Sequence, residues 1–125
     1  MTFRIAQHTN NLKPIIEFYT QILGLTVLGN FENHDNYDGV FLGKESLDWH
    51  LEFTTSTEQV QYQFDEDDIL VFYPSSQQEY DTIINNIKQN NIAILTAKNP
   101  YWNKNGVLIK DSDGYNVVIS NLKCS

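Results

Sequence analysis

The apolar pattern of the first half of this chain returns, in the same order, in the second half. Ile15, Ile16 and Tyr19 recur as Ile83, Ile84 and Ile87 at a shift of 68 residues. Leu25, Val27 and Leu28 recur as Ile92, Ile94 and Leu95, and Gly39-Val40-Phe41-Leu42 recurs as Gly106-Val107-Leu108-Ile109, both at a shift of 67. One single-residue insertion or deletion accounts for the difference. Three matches in one order at nearly one shift mark an internal duplication, which requires both halves to fold alike.

Each half reads as βαβββ. In the first, residues 3–8 read as a strand, and residues 12–23 carry Leu12, Ile15, Ile16, Tyr19, Ile22 and Leu23 at the spacing of a helix with one buried stripe, ended by Gly24. Three β-rich stretches follow at 25–31, 40–42 and 49–55, separated by the turn-forming runs 32–36 and 43–46. The second half repeats this with a strand at 69–73, a helical stripe through Tyr80, Ile83, Ile84 and Ile87, and strands at 92–95, 106–111 and 115–120. The polar, acidic stretch between them is a connector. The expected organisation is one domain of module one (1–55), linker (56–67) and module two (68–122), in the α+β class, with two tandem βαβββ modules forming curved mixed sheets around a cleft.

At 125 residues the chain can bury a core without staples, and its one cysteine, Cys124, excludes an internal disulfide framework and fits a reducing, cytoplasmic setting. The start Met1-Thr2-Phe3-Arg4 lacks the basic, apolar look of a signal peptide, and no stretch approaches the roughly 20 apolar residues of a membrane span. Sixteen acidic against eight basic residues give a formal charge of −8, with the basic residues scattered. That argues against a nucleic-acid partner and favours solubility, or a field that draws cationic ligands.

Local motifs add a family resemblance. Asn11-Leu12, Phe18-Tyr19 and Leu23-Gly24-Leu25, then Trp49-His50-Leu51-Glu52-Phe53-Thr54, then Asp111-Ser112-Asp113-Gly114-Tyr115, follow one another in the order and spacing of the vicinal oxygen chelate superfamily, which the chain resembles over nearly its whole length. That superfamily includes glyoxalase I, bleomycin-resistance proteins, fosfomycin-resistance enzymes and extradiol dioxygenases. The resemblance implies homodimers whose clefts are completed by two chains. It also implies that metal-dependent members hold their ion at the positions occupied here by Arg4, Glu52, Asp68 and Val118. Arginine does not give up its proton to bind a metal and valine has no donor atom, so no cofactor is expected. The alternative set for a divalent metal is His50, Glu52 and Asp68, with His8 as a fourth ligand; the simpler expectation is a charge cluster of Arg4 with Glu52 or Asp68.

Alternation along the strand at 49–55 puts Trp49, Leu51 and Phe53 toward the helix and His50 and Glu52 on the opposite face. Glu52 beside His50 reads either as a general acid or base or as a salt-bridge partner of Arg4. His34 is expected in an exposed loop. Tyr101 and Trp102, adjacent in a polar loop, read as a lid over a flat or cationic ligand, as a plug on the sheet, or as a dimer contact. Tyr37, Phe41 and Phe72 add to an aromatic lining or pack the core. No Ser-His-Asp order, phosphate-binding loop or dinucleotide glycine pattern occurs, and Asp113-Gly114 reads as a tight hairpin turn.

Two functions fit. One is metal-independent binding or sequestration of a small cationic or aromatic molecule, with Arg4, His50, Glu52, Asp68, Phe72, Tyr101, Trp102 and Val118 as the binding residues. The other is a glyoxalase-type lyase or isomerase using Glu52 and His50, with or without a divalent metal.

Overall fold

The structure, a computed structural model, describes residues 1–122; Cys124 lies outside the described residues. The chain forms two compact units, one over Met1–Tyr62 and the other beginning at Gln63.

The first unit runs β1 (Phe3–His8), α1 (Leu12–Gln21), β2 (Thr26–His34), β3 (Tyr37–Gly43) and β4 (Trp49–Thr55). Its sheet has the order β1-β4-β3-β2, with β1 parallel to β4 and the other neighbours antiparallel. The Asn11 side chain caps α1 by accepting from the Lys13 amide at 3.2 Å. Gly24, at φ +73°, takes the left-handed conformation that ends the helix. The apolar stripe buries Ile15, Phe18, Tyr19 and Ile22, while Val40, Leu42, Leu51 and Phe53 are buried on the sheet; Tyr19 and Phe53 meet at 5.2 Å between ring centroids. One face of the sheet is therefore occupied by α1.

The β2–β3 hairpin is longer than the sequence suggested. Only Asp35 and Asn36 form the turn, with φ of 51° and 71°, the pair of positive values a two-residue primed turn requires. Asn33 is also left-handed, and its amide donates to Asp38 Oδ1 at 2.8 Å, so the strand continues through an irregularity. His34 is exposed, as expected, but stands on the end of β2 and not in a loop.

The second unit runs β5 (Ile69–Phe72), α2 (Gln77–Gln89), α3 (Pro100–Lys104), β6 (Gly106–Lys110) and β7 (Asn116–Ser120), with sheet order β5-β7-β6. Ser76 caps α2 through the Glu79 amide at 3.1 Å, and Glu79 reaches back to the Ser75 amide at 2.8 Å, a capping-box arrangement. The turn before β7 is built on buried Asp111, whose Oδ1 accepts from the Asp113 and Tyr115 amides at 2.9 and 3.0 Å, with Gly114 at φ +88°.

One expectation is corrected. Residues 92–95 do not form a strand; a single bridge, Leu95 to Leu108, is all that matches the long β2 of the first unit. The reason is local. The next ladder position is taken by the Asn103 side chain, which accepts from the Ala97 amide at 2.8 Å and donates to the Ala97 carbonyl at 3.1 Å. Asn99 then caps α3, with Pro100 at its first turn, where the first unit has a hairpin.

Candidate functional site

The face of the first sheet opposite α1 carries a cluster of charged, histidine and aromatic side chains. In β4 the buried Leu51 and Phe53 alternate with half-buried His50, Glu52 and Thr54, as the pleat demands. The parallel register sets Arg4 beside His50 and Ala6 beside Glu52, and the antiparallel register sets Phe41 beside Glu52. Arg4 Nε and Glu52 Oε1 form an ion pair at 3.3 Å, with the Arg4 side chain 51% exposed and Glu52 13%. The guanidinium carbon lies 5.7 Å from the centre of the Phe41 ring, within cation–π range. Phe41 in turn meets His50 edge-on at 5.7 Å and Phe31 at 5.8 Å. Phe31 fits only because residue 39 is glycine: a Cβ there would lie 2.2 Å from the Phe31 ring.

Farther along the same face, His8 Nδ1 lies 2.6 Å from Thr54 Oγ1 and His8 Nε2 lies 3.1 Å from Ser56 Oγ, so both ring nitrogens are engaged. Tyr37 meets the His8 ring at 5.6 Å. Phe31, Thr54 and Ser56 were not singled out from the sequence. The signals were there: Thr54 and Ser56 continue the alternation of His50 and Glu52, and Phe31 faces a glycine across the hairpin.

The second unit treats the equivalent face differently. The repeat matches Phe41 with Leu108, and Leu108 pairs with Val118 as Phe41 pairs with Glu52, so Val118 is the counterpart of Glu52. Val118 is fully buried in a cluster with Leu108 and Ala97, against which Ile69, Val71, Leu95 and Trp102 pack. Trp102 is thus a plug on its own sheet, on α3 and not in a loop, while Tyr101 stays 51% exposed and meets the Trp102 ring at 4.9 Å. The pairing Ile69–Asn116 stands two residues before Val71–Val118, just as Arg4–His50 precedes Ala6–Glu52. The counterpart of Arg4 is therefore Ile69, and Asp68 is one residue out of register. Asp68 is exposed before β5, its Oδ2 accepting from the Asp65 amide at 3.4 Å. Phe72 lies on the other face from Val118, because the register places it beside Ile119. Asn116, the counterpart of His50, is buried and donates to the Glu66 carbonyl at 3.0 Å, tying the acidic segment to the sheet.

The donor set does not suit a divalent ion. Of the positions that the superfamily resemblance assigns to metal ligands, one is a guanidinium already paired with Glu52, and another is a buried valine. Among the described residues no group of three or more His, Cys, Asp or Glu side chains is arranged to hold a metal, including His50, Glu52 and Asp68.

Solved structures place the fold. Glyoxalase I from Leishmania major is similar at a TM-score of 0.74 and 22% identity, over 97% of this chain and 86% of that one. The fosfomycin resistance protein FosX from Mesorhizobium loti is similar at a TM-score of 0.69 and 6% identity, over 96% and 90%. The molecule therefore has the α+β glyoxalase/bleomycin-resistance-like fold. Residues 3–54 match the YycE-like N-terminal domain and residues 67–121 the YycE-like C-terminal domain. Protein YycE of Bacillus subtilis strain 168 is 40% identical over 124 residues, covering 96% of this chain and 87% of that protein. A crystal structure of a Bacillus subtilis YycE protein is similar at a TM-score of 0.83 and 38% identity, over 99% and 91% of the two chains. The chain belongs to the YycE-like family.

Proposed function

We propose that this protein binds a small molecule, without a metal or other cofactor, on the sheet face that carries Arg4, Phe41, His50 and Glu52. The observation that supports this reading most is the Arg4–Glu52 ion pair at 3.3 Å. It sets a fixed cation at the position where the superfamily resemblance implies a metal ligand, and an arginine offers charge and directional donors but neither an open coordination position nor an acidified water. The contiguous Phe31, Phe41 and His50 rings supply an aromatic surface of the kind that small-molecule sites use, with a few polar groups to orient the ligand. The lyase or isomerase alternative needs a carboxylate free to exchange a proton with substrate, whereas Glu52 Oε1 is engaged by Arg4.

The neighbours named as glyoxalase and fosfomycin-resistance proteins support a small molecule as the ligand class. Pairing of two chains and a cytoplasmic setting belong to the same proposal; the first is tested by sedimentation at micromolar concentration, where a monomer alone contradicts it. Among the described residues no helix is long and apolar enough to cross a membrane.

The test of binding is saturation-transfer NMR of a set of small aromatic molecules with the purified protein in EDTA. Binding that persists in the chelator and is weakened by Phe41→Ala supports the reading. Binding or turnover that appears only when zinc, nickel or iron is added contradicts it.

A further inference from the structure

Among the described residues, the Nη groups of Arg4 and the ring nitrogens of His50 on this face are not engaged by any side chain or backbone group. Arg4 approaches Glu52 through Nε, and among the described residues neither of its Nη groups has a hydrogen-bond partner. The side chain of His50, its direct neighbour across the β1–β4 pair, makes an edge contact with Phe41 and, among the described residues, no hydrogen bond. Both are otherwise held in place, Arg4 by Glu52 and the Phe41 ring, His50 by Phe41. A guanidinium fixed at its Nε end presents its two Nη groups as a planar fork, the geometry that receives a carboxylate with two parallel hydrogen bonds.

We infer that the ligand of this site is a small monoanionic carboxylate carrying a flat apolar group, its carboxylate on the Arg4 fork and the His50 ring and its apolar body against Phe41 and Phe31. This deepens the proposed function and rests on it. A monoanion is favoured over a dianion because Glu52 stands within reach of the same guanidinium and repels each added negative charge. A cation, which the formal charge of −8 would attract at long range, meets at the site itself a carboxylate already paired and a guanidinium that repels it. Local charge decides, since the field of distant carboxylates is screened beyond roughly 8 Å at physiological ionic strength.

The experiment compares benzoate, benzamide and benzylammonium, equal in ring and different in charge, by NMR titration of the intact protein in EDTA. The expected result is saturable binding of benzoate, tighter than benzamide by about tenfold, with benzylammonium the weakest. Arg4→Ala should abolish the preference for benzoate over benzamide. Arg4→Lys, which keeps the charge and the fold but loses the fork, should retain only part of it. Benzylammonium binding best at the same rings would overturn the carboxylate inference while leaving small-molecule binding on this face intact. No binding by any of the three overturns both. An unchanged benzoate preference in Arg4→Ala overturns the assignment to Arg4.

Discussion

The two sheets began as copies, yet the same face has opposite character in each. In the first, Arg4, Glu52, His50 and Phe41 form an ion pair set among rings, with Arg4 half exposed. In the second, the corresponding positions hold Ile69, Val118, Asn116 and Leu108, and Trp102 packs against the apolar cluster they contribute to. Even the polar survivors differ in task. The His50 ring nitrogens have no hydrogen-bond partner among the described residues, while Asn116 anchors the acidic segment through backbone carbonyls; Thr54 holds His8, while its counterpart Ser120 donates to the Asn105 carbonyl at 2.8 Å. A duplicated module can thus assign stability to one copy and recognition to the other, because a face closed by its own α3 needs no ligand and a face left polar gains little stability from its charges.

The contrast is sharpest at Glu52 and Val118. Val118→Glu puts an unpaired carboxylate into a fully buried apolar cluster and should cost about 3 kcal/mol or more, read as the loss of urea midpoint; Val118→Thr should cost about 1–2 kcal/mol. The reverse change, Glu52→Val, should alter stability by less than about 1 kcal/mol. Similar losses at the two positions would break the comparison. Next in size is Trp102→Ala, expected to cost about 2–3 kcal/mol because the plug is only partly buried.

Asn103→Ala removes both hydrogen bonds to Ala97 and should cost about 1–2 kcal/mol in thermal melting; no loss would mean that the missing strand at 92–95 has another cause. Smaller still is the Arg4–Glu52 coupling. A double-mutant cycle with Arg4→Ala and Glu52→Gln should return about 0.5 kcal/mol, because a half-exposed pair is screened by water. The least effect concerns Tyr115, whose phenol is raised above 10.0 by burial first and by Asp68 and Asp111 next. The folded state therefore holds that proton more tightly than the unfolded chain. Its stabilisation is fully present below pH 10.0 and is lost as pH rises through the higher folded value, so Tyr115→Phe should flatten the alkaline arm of the stability profile.

Much of this was legible in the sequence, for identifiable reasons. The duplication and the alternation of His50 and Glu52 against Leu51 and Phe53 required only periodicity, whereas Arg4 was singled out by the superfamily resemblance. What was not legible depended on register and on side chains acting as backbone. Asp68 was placed by the superfamily resemblance and Phe72 was left between an aromatic lining and the core, but β-pairing puts Asp68 one residue out of register and Phe72 on the other face from Val118. The strand at 92–95 has good β-formers and is absent because Asn103, eight residues beyond Leu95, satisfies the backbone at Ala97. The length of the β2–β3 hairpin depended on three left-handed Asn and Asp residues, which a propensity reading takes as loop. Trp102 could not be told from a lid until its neighbours in the cluster were known.

The central claim is that recognition resides on the first sheet face and does not require a metal. Chemical-shift mapping tests it directly, with isotope-labelled protein titrated with benzoate in EDTA. The account predicts saturable shifts at the Arg4 side chain, Phe41, His50 and Glu52, with Leu108, Val118 and Trp102 unmoved. Shifts confined to the second set, or shifts that appear only after a divalent metal is added, would contradict it.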